Sequence, residues 1–311
     1  MRAWRRLNDL AWPWRWPLKL AILLVVVAVV LYPKFWLLPR CIKRLGNMNA
    51  VLDPHHPALG ELEQRVRQAL APPPATLPAA EPGNSTVSGS RPAALLAGEG
   101  QDPALAAVQQ VVYERVPYAW DWDTWGVFEY IPTVAEVFER GREDCDGRAV
   151  VAASLLRRMG CDAWLVSDLL HVWVQTPAGE TMSPTGGEKT LVATEAGTQT
   201  TISPGLVRNL ARGLAYGVAV FPLGRELIIL AAICVLAMQP RSAVWRRVAG
   251  CLLLGAAFGL LRASGQEAAL GTSARDILLA RGAVGVALGG WLVLVIRAGR
   301  RPPRSAATPP E

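Results

Sequence analysis

The chain has 311 residues, 51% hydrophobic and 18% charged, which is too apolar for an ordinary soluble enzyme and excludes wholesale disorder. Its formal net charge of +7 is laid out unevenly: residues 50–205 carry 10 Lys/Arg and 20 Asp/Glu, residues 1–49 carry 9 and 1, and residues 206–311 carry 13 and 4. Basic, apolar ends around an acidic middle mark membrane flanks rather than a nucleic-acid surface, and five scattered cysteines exclude a disulfide scaffold.

Residues 1–49 read as a basic flank and a first transmembrane helix (about 18–38). Leu18 to Leu31, extended by Tyr32 and Phe35 to Leu38, offers roughly 20 apolar positions, enough for ~30 Å of hydrocarbon. Trp12, Trp14 and Trp16 before the run and Tyr32 and Trp36 after it suit the two interfaces. No small-x-small site follows, so the run reads as an anchor rather than a cleaved signal.

Residues 50–100 read as a helix and a linker. The helix covers Pro57 to Leu70, with Leu59, Leu62, Val66 and Leu70 on one stripe. The linker follows, with PPP at 72–74 and Gly, Ser and Pro throughout.

Residues 101–205 read as an α+β domain. Asp102-Pro103 is an N-cap followed by an N1 proline, opening a helix to Arg115, and Pro132 to Glu139 is a short helix. Trp120, Trp122 and Trp125 with Asp121 and Asp123 form a packed or rim loop. Asp144 caps a helix whose first turn holds Cys145 and whose run GRAVVAASLLRRM ends at Gly160. Cys145, Ala149, Ala152 and Leu156 share its stripe, so the thiol sits at the positive end of the helix and faces the core. Ala163 to Ser167 and Leu170 to Thr176 read as strands, and Pro177-Ala178-Gly179 turns into a third strand at about Glu180 to Pro184. A two-residue turn there pairs Thr176 with Gly179.

Residues 206–298 read as an interfacial helix, or the outer half of a kinked span, up to Phe221 and three transmembrane helices (about 223–239, 244–261 and 277–296), and 299–311 as a basic tail. Arginines cluster at the N-terminus, between the second and third spans (Arg241, Arg246, Arg247) and in the tail. Four crossings with both ends cytoplasmic place all three clusters inside and the acidic domain outside, against the counter-signal of Lys34, Arg40, Lys43 and Arg44. Gly255-x-x-x-Gly259 and Gly285-x-x-x-Gly289 suggest close packing of the last two spans.

Of three histidines, His55 and His56 sit beside prolines near the membrane flank, which leaves His171 as the candidate imidazole base for a Cys145 thiolate favoured by the helix dipole. Asp144 and Asp146 oppose that thiolate. No CxxC or HxxxH spacing points to a metal, and no cofactor is expected.

The stretch YIPTVAEVFERGREDCDGRAVVAASLLRRMGCDAWLV followed by LLHVWVQT resembles the transglutaminase-like superfamily, in particular the bacterial transglutaminase-like cysteine peptidases. The resemblance covers Gln101 to Gly187. It implies a papain-like core with Cys145 as nucleophile, His171 as base, and an oxyanion donor or site wall upstream of the cysteine at Trp125 or Tyr130, while Trp173, on the strand face of His171, reads as site wall or core. The family places an Asp or Asn on the strand after the His strand, where this chain reads Met182-Ser183-Pro184-Thr185. Ser183 therefore occupies the third position, with Asp168 as the fallback partner of the ring.

The implied activity is a membrane-anchored Cys-His hydrolase, a peptidase or amidase acting on amide bonds outside the cytoplasm. Its partners are a peptide or protein substrate and the lipid bilayer, with no nucleic acid. The rival reading is an inactive binding or scaffold module, for which the missing Asp argues. A transport role for the spans rests only on isolated Arg225, Glu226 and Arg281.

Overall fold

The computed structural model describes residues 7–71, 102–168, 171–183, 189–201, 206–240, 242–270 and 274–296. The chain divides into two compact units, Met1–Leu31 with Leu214–Glu311, and Tyr32–Gly213. Helix α1 (Trp12–Leu31) opens the first unit. It stops at Leu31 rather than running on towards 38, because Pro33 lacks an N–H and restricts Tyr32. Phe35–Leu37 instead forms a 3-10 turn leading into α2 (Leu38–Gly46), which buries Cys41.

The Tyr32–Gly213 unit is built on one core. Around it stand α3 (Leu59–Leu70), α4 (Pro103–Arg115), the single turn α5 (Asp121–Thr124), α6 (Val134–Arg140) and α7 (Cys145–Arg158). Asp102 caps α4 by accepting from Ala104 N at 2.7 Å, and Thr133 with Glu136 forms a reciprocal capping box on α6. The stripe anticipated for α3 is inward: Leu59, Leu62 and Val66 are wholly buried, while Leu70 is exposed. These three pack with Val108 and Val112 of α4 and with Ala149, Ala152, Leu155 and Leu156 of α7.

The sheet has five antiparallel strands in the order β3-β2-β1-β4-β5. They are β1 (Trp164–Ser167), β2 (Val172–Thr176), β3 (Gly179–Thr181), β4 (Leu191–Thr194) and β5 (Gly197–Thr200). The β2–β3 register pairs Thr176 with Gly179, as the two-residue turn requires. Leu165, Val166, Trp173 and Val174 turn into the core. The segment after α1 is stitched to the far hairpin, since Met48 N donates to Thr198 Oγ1 at 3.1 Å and Asn49 Nδ2 to Thr194 O at 2.9 Å.

The other unit is apolar. Three helices are long and apolar enough to cross a membrane, Pro13–Leu31, Val244–Gln266 and Ile277–Val295, or four if a bent pair is one span. The helices after the α+β unit are α8 (Leu206–Val220), α9 (Leu223–Ala237), α10 (Val244–Leu270) and α11 (Ala274–Val295). Between α8 and α9 the chain bends by 114° at Phe221-Pro222. Arg262 of α10 holds that bend, donating to Ala219 O at 2.8 Å and pairing with Glu226 in the first turn of α9. Cations also satisfy the free carbonyls at helix C-termini: Lys19 Nζ reaches Leu236 O at 2.6 Å, and Arg246 reaches Val293 O and Ile296 O.

The glycines expected to join the last two spans do not do so. Gly255, Gly259, Gly285 and Gly289 have nothing within 4 Å of a Cβ position, and the contact runs instead through Gly250 and Gly290. A Cβ on Gly290 would stand 2.9 Å from Leu253 Cβ and 3.0 Å from Gly250 O. Gly290→Val is therefore expected to destabilise the α10–α11 pair by about 1–3 kcal/mol, read as a lower unfolding midpoint in detergent. Gly289→Ala, one position away and facing open space, should leave the midpoint unchanged.

Candidate active site

Helix α7 begins at the site. Asp144 caps it, its carboxylate accepting from Asp146 N at 3.3 Å, and Cys145 follows at the first helical position. The preceding residue, Glu143, is fastened to the segment after α4: Glu143 N donates to Pro117 O at 3.1 Å and Ala119 N to Glu143 O at 3.2 Å. Glu143 then folds over the start of the helix, where only a glycine fits beneath it. A Cβ on Gly147 would lie 2.6 Å from that of Glu143.

The N-terminal turn of α7 lies against strand β2: the backbone of Val172, the residue after His171, acts on the Cys145 thiol and favours its ionised form. Cys145 is half-buried. Desolvation, and then the neighbouring Asp144, push its ionisation well above the ordinary thiol range. The dipole of α7 is outweighed, and the resting sulfur is a protonated thiol.

His171 is oriented from two sides. Its backbone N donates to Asp168 Oδ1 at 2.8 Å, and Asp168 N returns a bond to His171 O at 3.3 Å. Asp168 thus closes the β1–β2 turn. The ring bond is a different one, from Nε2 to the backbone carbonyl of Met182 at 3.0 Å. A carbonyl only accepts, so Nε2 carries the proton and Nδ1 keeps the basic lone pair. Ser183 is exposed and its hydroxyl bonds Glu180, which also accepts from Trp173 Nε1 at 2.9 Å and pairs with Lys189 at 2.6 Å. Pro184 and Thr185 lie outside the described residues.

The three aromatic residues expected at the site wall are all interior. Trp125 is 5% exposed and gives its indole N–H to Glu143. Tyr130 is wholly buried and gives its hydroxyl to Glu136 at 2.8 Å. Trp173 is wholly buried in the core. Their polar hydrogens are committed to carboxylates, which leaves none of them to stabilise an oxyanion. The exposed aromatic edge is formed instead by Tyr118, with Trp120 edge-on to it at 5.1 Å and Trp122 stacked on Trp120 at 4.8 Å.

A buried carboxylate cluster lies beside Cys145, larger than the Asp144 and Asp146 pair that flanks it in sequence. One oxygen from each of Asp121, Glu143, Asp144 and Asp146 lies within 4.8 Å of the others, and all four residues are buried. Glu143 accepts from Trp125 and from Asp144 N, and Asp121 Oδ2 accepts from Tyr130 N. Neither oxygen of Asp146 has a donor among the described residues, nor has Asp121 Oδ1. At the rim, Glu129 is itself exposed, yet its carboxyl meets that of Asp146 and is pushed up to about 8 by desolvation and by Asp144. Burial, then Asp144, raises Glu143 to about 8 as well, and burial with Asp144 raises Asp121 and Asp146 well above the carboxylate range.

Four carboxylates this close cannot all be ionised alone. They either share protons or hold a cation, and an all-oxygen donor set suits a hard divalent ion such as calcium or magnesium. Glu143, Asp144 and Asp146 are neighbours in sequence, and the fold adds Asp121 from 22 positions before Glu143, a pairing that no local spacing could reveal. Compared with known proteins, the chain matches no family model, no curated protein and no solved structure.

Proposed function

We propose that the Tyr32–Gly213 unit is a membrane-anchored thiol hydrolase of transglutaminase-like type with a papain-like core, cleaving amide bonds of a peptide or protein outside the cytoplasm. One observation carries this reading. A cysteine at the start of a buried helix lies against the strand that follows a histidine, and that histidine's Nε2–H bond to Met182 O leaves Nδ1 to accept a proton. Because the resting thiol is protonated, His171 Nδ1 takes its proton as sulfur attacks the substrate carbonyl. The imidazolium then protonates the departing amine, and water cleaves the thioester with the same nitrogen as base. Hydrolysis returns both groups to their starting states.

The outward placement rests on arginine asymmetry in the short loops. The counter-signal weakens once the bonds of those cations are considered. Lys34 Nζ donates to Trp125 O at 2.6 Å, and Arg44 pairs with Glu136 at 2.7 Å, so both serve the folded unit rather than a cytoplasmic flank.

Both parts of the proposal are tested by one labelling experiment in intact cells, with exposed Cys161 replaced by Ser. A membrane-impermeant alkylating reagent should modify Cys145, and His171→Ala should slow that reaction by about tenfold or more. Labelling only after permeabilisation would place the domain inside. A rate indifferent to His171 would favour the inactive binding module, for which the high-lying thiol is the supporting observation.

A further inference from the structure

We infer that Met182 is the positioning residue of this site: its backbone carbonyl, aimed by a left-handed conformation, does the work of the absent carboxylate in fixing the His171 ring. This deepens the thiol-hydrolase reading and rests on it. Met182 is the one non-glycine residue with positive φ among those described, at φ 61. Side chains with a Cβ avoid this region, and such outliers persist only where surrounding bonds over-determine them.

Here the bonds are present on both sides. Gln109 Oε1 accepts from Met182 N at 3.0 Å, and the Thr181 hydroxyl lies 3.2 Å from both Leu105 O and Gln109 Oε1. The Met182 side chain is 6% exposed and packs in the main core. Strand β3 ends at Thr181, so the left-handed residue comes immediately after the last β2–β3 pair. An extended residue at 182 would carry the strand onward, and the left-handed turn instead delivers its carbonyl to Nε2 at 3.0 Å.

The consequence is a division of labour between two carbonyl-type acceptors. Asp168 secures the His171 main chain, and Met182 O secures the ring and its proton. A neutral carbonyl fixes the tautomer as a carboxylate would, but stabilises the imidazolium less. The site is therefore built for a reaction in which the ring holds a proton briefly.

Two substitutions in the full-length protein separate position from packing. Met182→Gly loses the buried side chain but keeps the carbonyl and tolerates positive φ, whereas Met182→Ile keeps apolar bulk but disfavours that conformation. Nitrogen-15 NMR of the histidine rings reports the tautomer, with His171 assigned through His171→Ala. The rate of Cys145 alkylation reports the pair without needing a substrate. The expected result is an Nε2–H ring in the wild type and in Met182→Gly, with alkylation within a few-fold of wild type. In Met182→Ile the ring should become mixed and alkylation slow towards the His171→Ala rate, by about tenfold. An Nδ1–H ring in the wild type, an unchanged Met182→Ile, or a Met182→Gly as impaired as Met182→Ile would each overturn the assignment. If His171→Ala leaves alkylation unchanged while the tautomer behaves as expected, the hydrolase reading fails and the positioning of the ring stands.

Discussion

On the proposed hydrolase mechanism, Cys145→Ala, His171→Ala and the double substitution are expected to be equally inactive, each lowering peptide-bond turnover by about 10³-fold or more, because nucleophile and base would act as one unit. The motivating geometry is the packing of the Cys145 helix against strand β2 and the Nε2–H tautomer of His171. Two single losses that multiply in the double variant would show independent roles and remove the shared proton transfer. In the same assay Asp168→Asn should cost little, since the amide oxygen can still accept from the His171 backbone. Ser183→Asp should bring no gain: the ring is already bonded by Met182, and the new carboxylate would stand against Glu180.

The second large effect is on stability. Asp146 is 1% exposed, and both its oxygens lack donors among the described residues. Asp146→Asn keeps its shape, offers an N–H to Asp144 and removes a group that must hold a proton at neutral pH to avoid a buried charge. At neutral pH without divalent cations it should stabilise the protein by about 1–3 kcal/mol.

The pH dependence follows from the sign of the shifts. The cluster carboxyls lie higher in the folded protein than in the unfolded chain, so their contribution is complete below the ordinary carboxylate range and is lost as pH rises. For Glu143 that loss runs up through about 8, at a slope of about 1.4 kcal/mol per pH unit for each group that titrates. Calcium at a hundred times its Kd should restore about 2.7 kcal/mol to the wild type and much less to Asp146→Asn. Thermal unfolding with and without calcium, at pH 5 and pH 8, measures all of this. An Asp146→Asn protein less stable than wild type in calcium-free buffer would identify the cluster as a plain structural network.

What was legible in the chain was local. Asp144, the apolar stripe and Gly160 define α7 to within a residue at either end, and Pro177-Ala178 sets the β2–β3 register. Strands β4 and β5 escaped notice because their burial is only partial and their residues alternate weakly. Trp125 and Tyr130 read as site residues because the resemblance implies an oxyanion donor upstream of the cysteine, whereas both pack inward against carboxylates. The Met182 carbonyl left no trace at all, since every residue has a carbonyl and only φ tells where it points. The glycine pairs in the last two spans misled for a related reason. Spacing puts two glycines on one face, but it does not say that the face meets a neighbour.

The burial of α3 changes what counts as the Cys145-bearing half of this chain. Leu59, Leu62 and Val66 belong to the same core as α4 and α7, although residues 72–101 separate them from both in sequence. A fragment cut at Gln101, where the motif-bearing region starts, would bare the trench that these side chains fill. Each vacated position costs about 1.5–3 kcal/mol of burial, a sum comparable to the whole stability of a small domain. The smallest piece able to fold alone accordingly starts near Tyr32. By the same geometry a nick anywhere in 72–101 leaves two fragments with a shared interior, held together as subunits are.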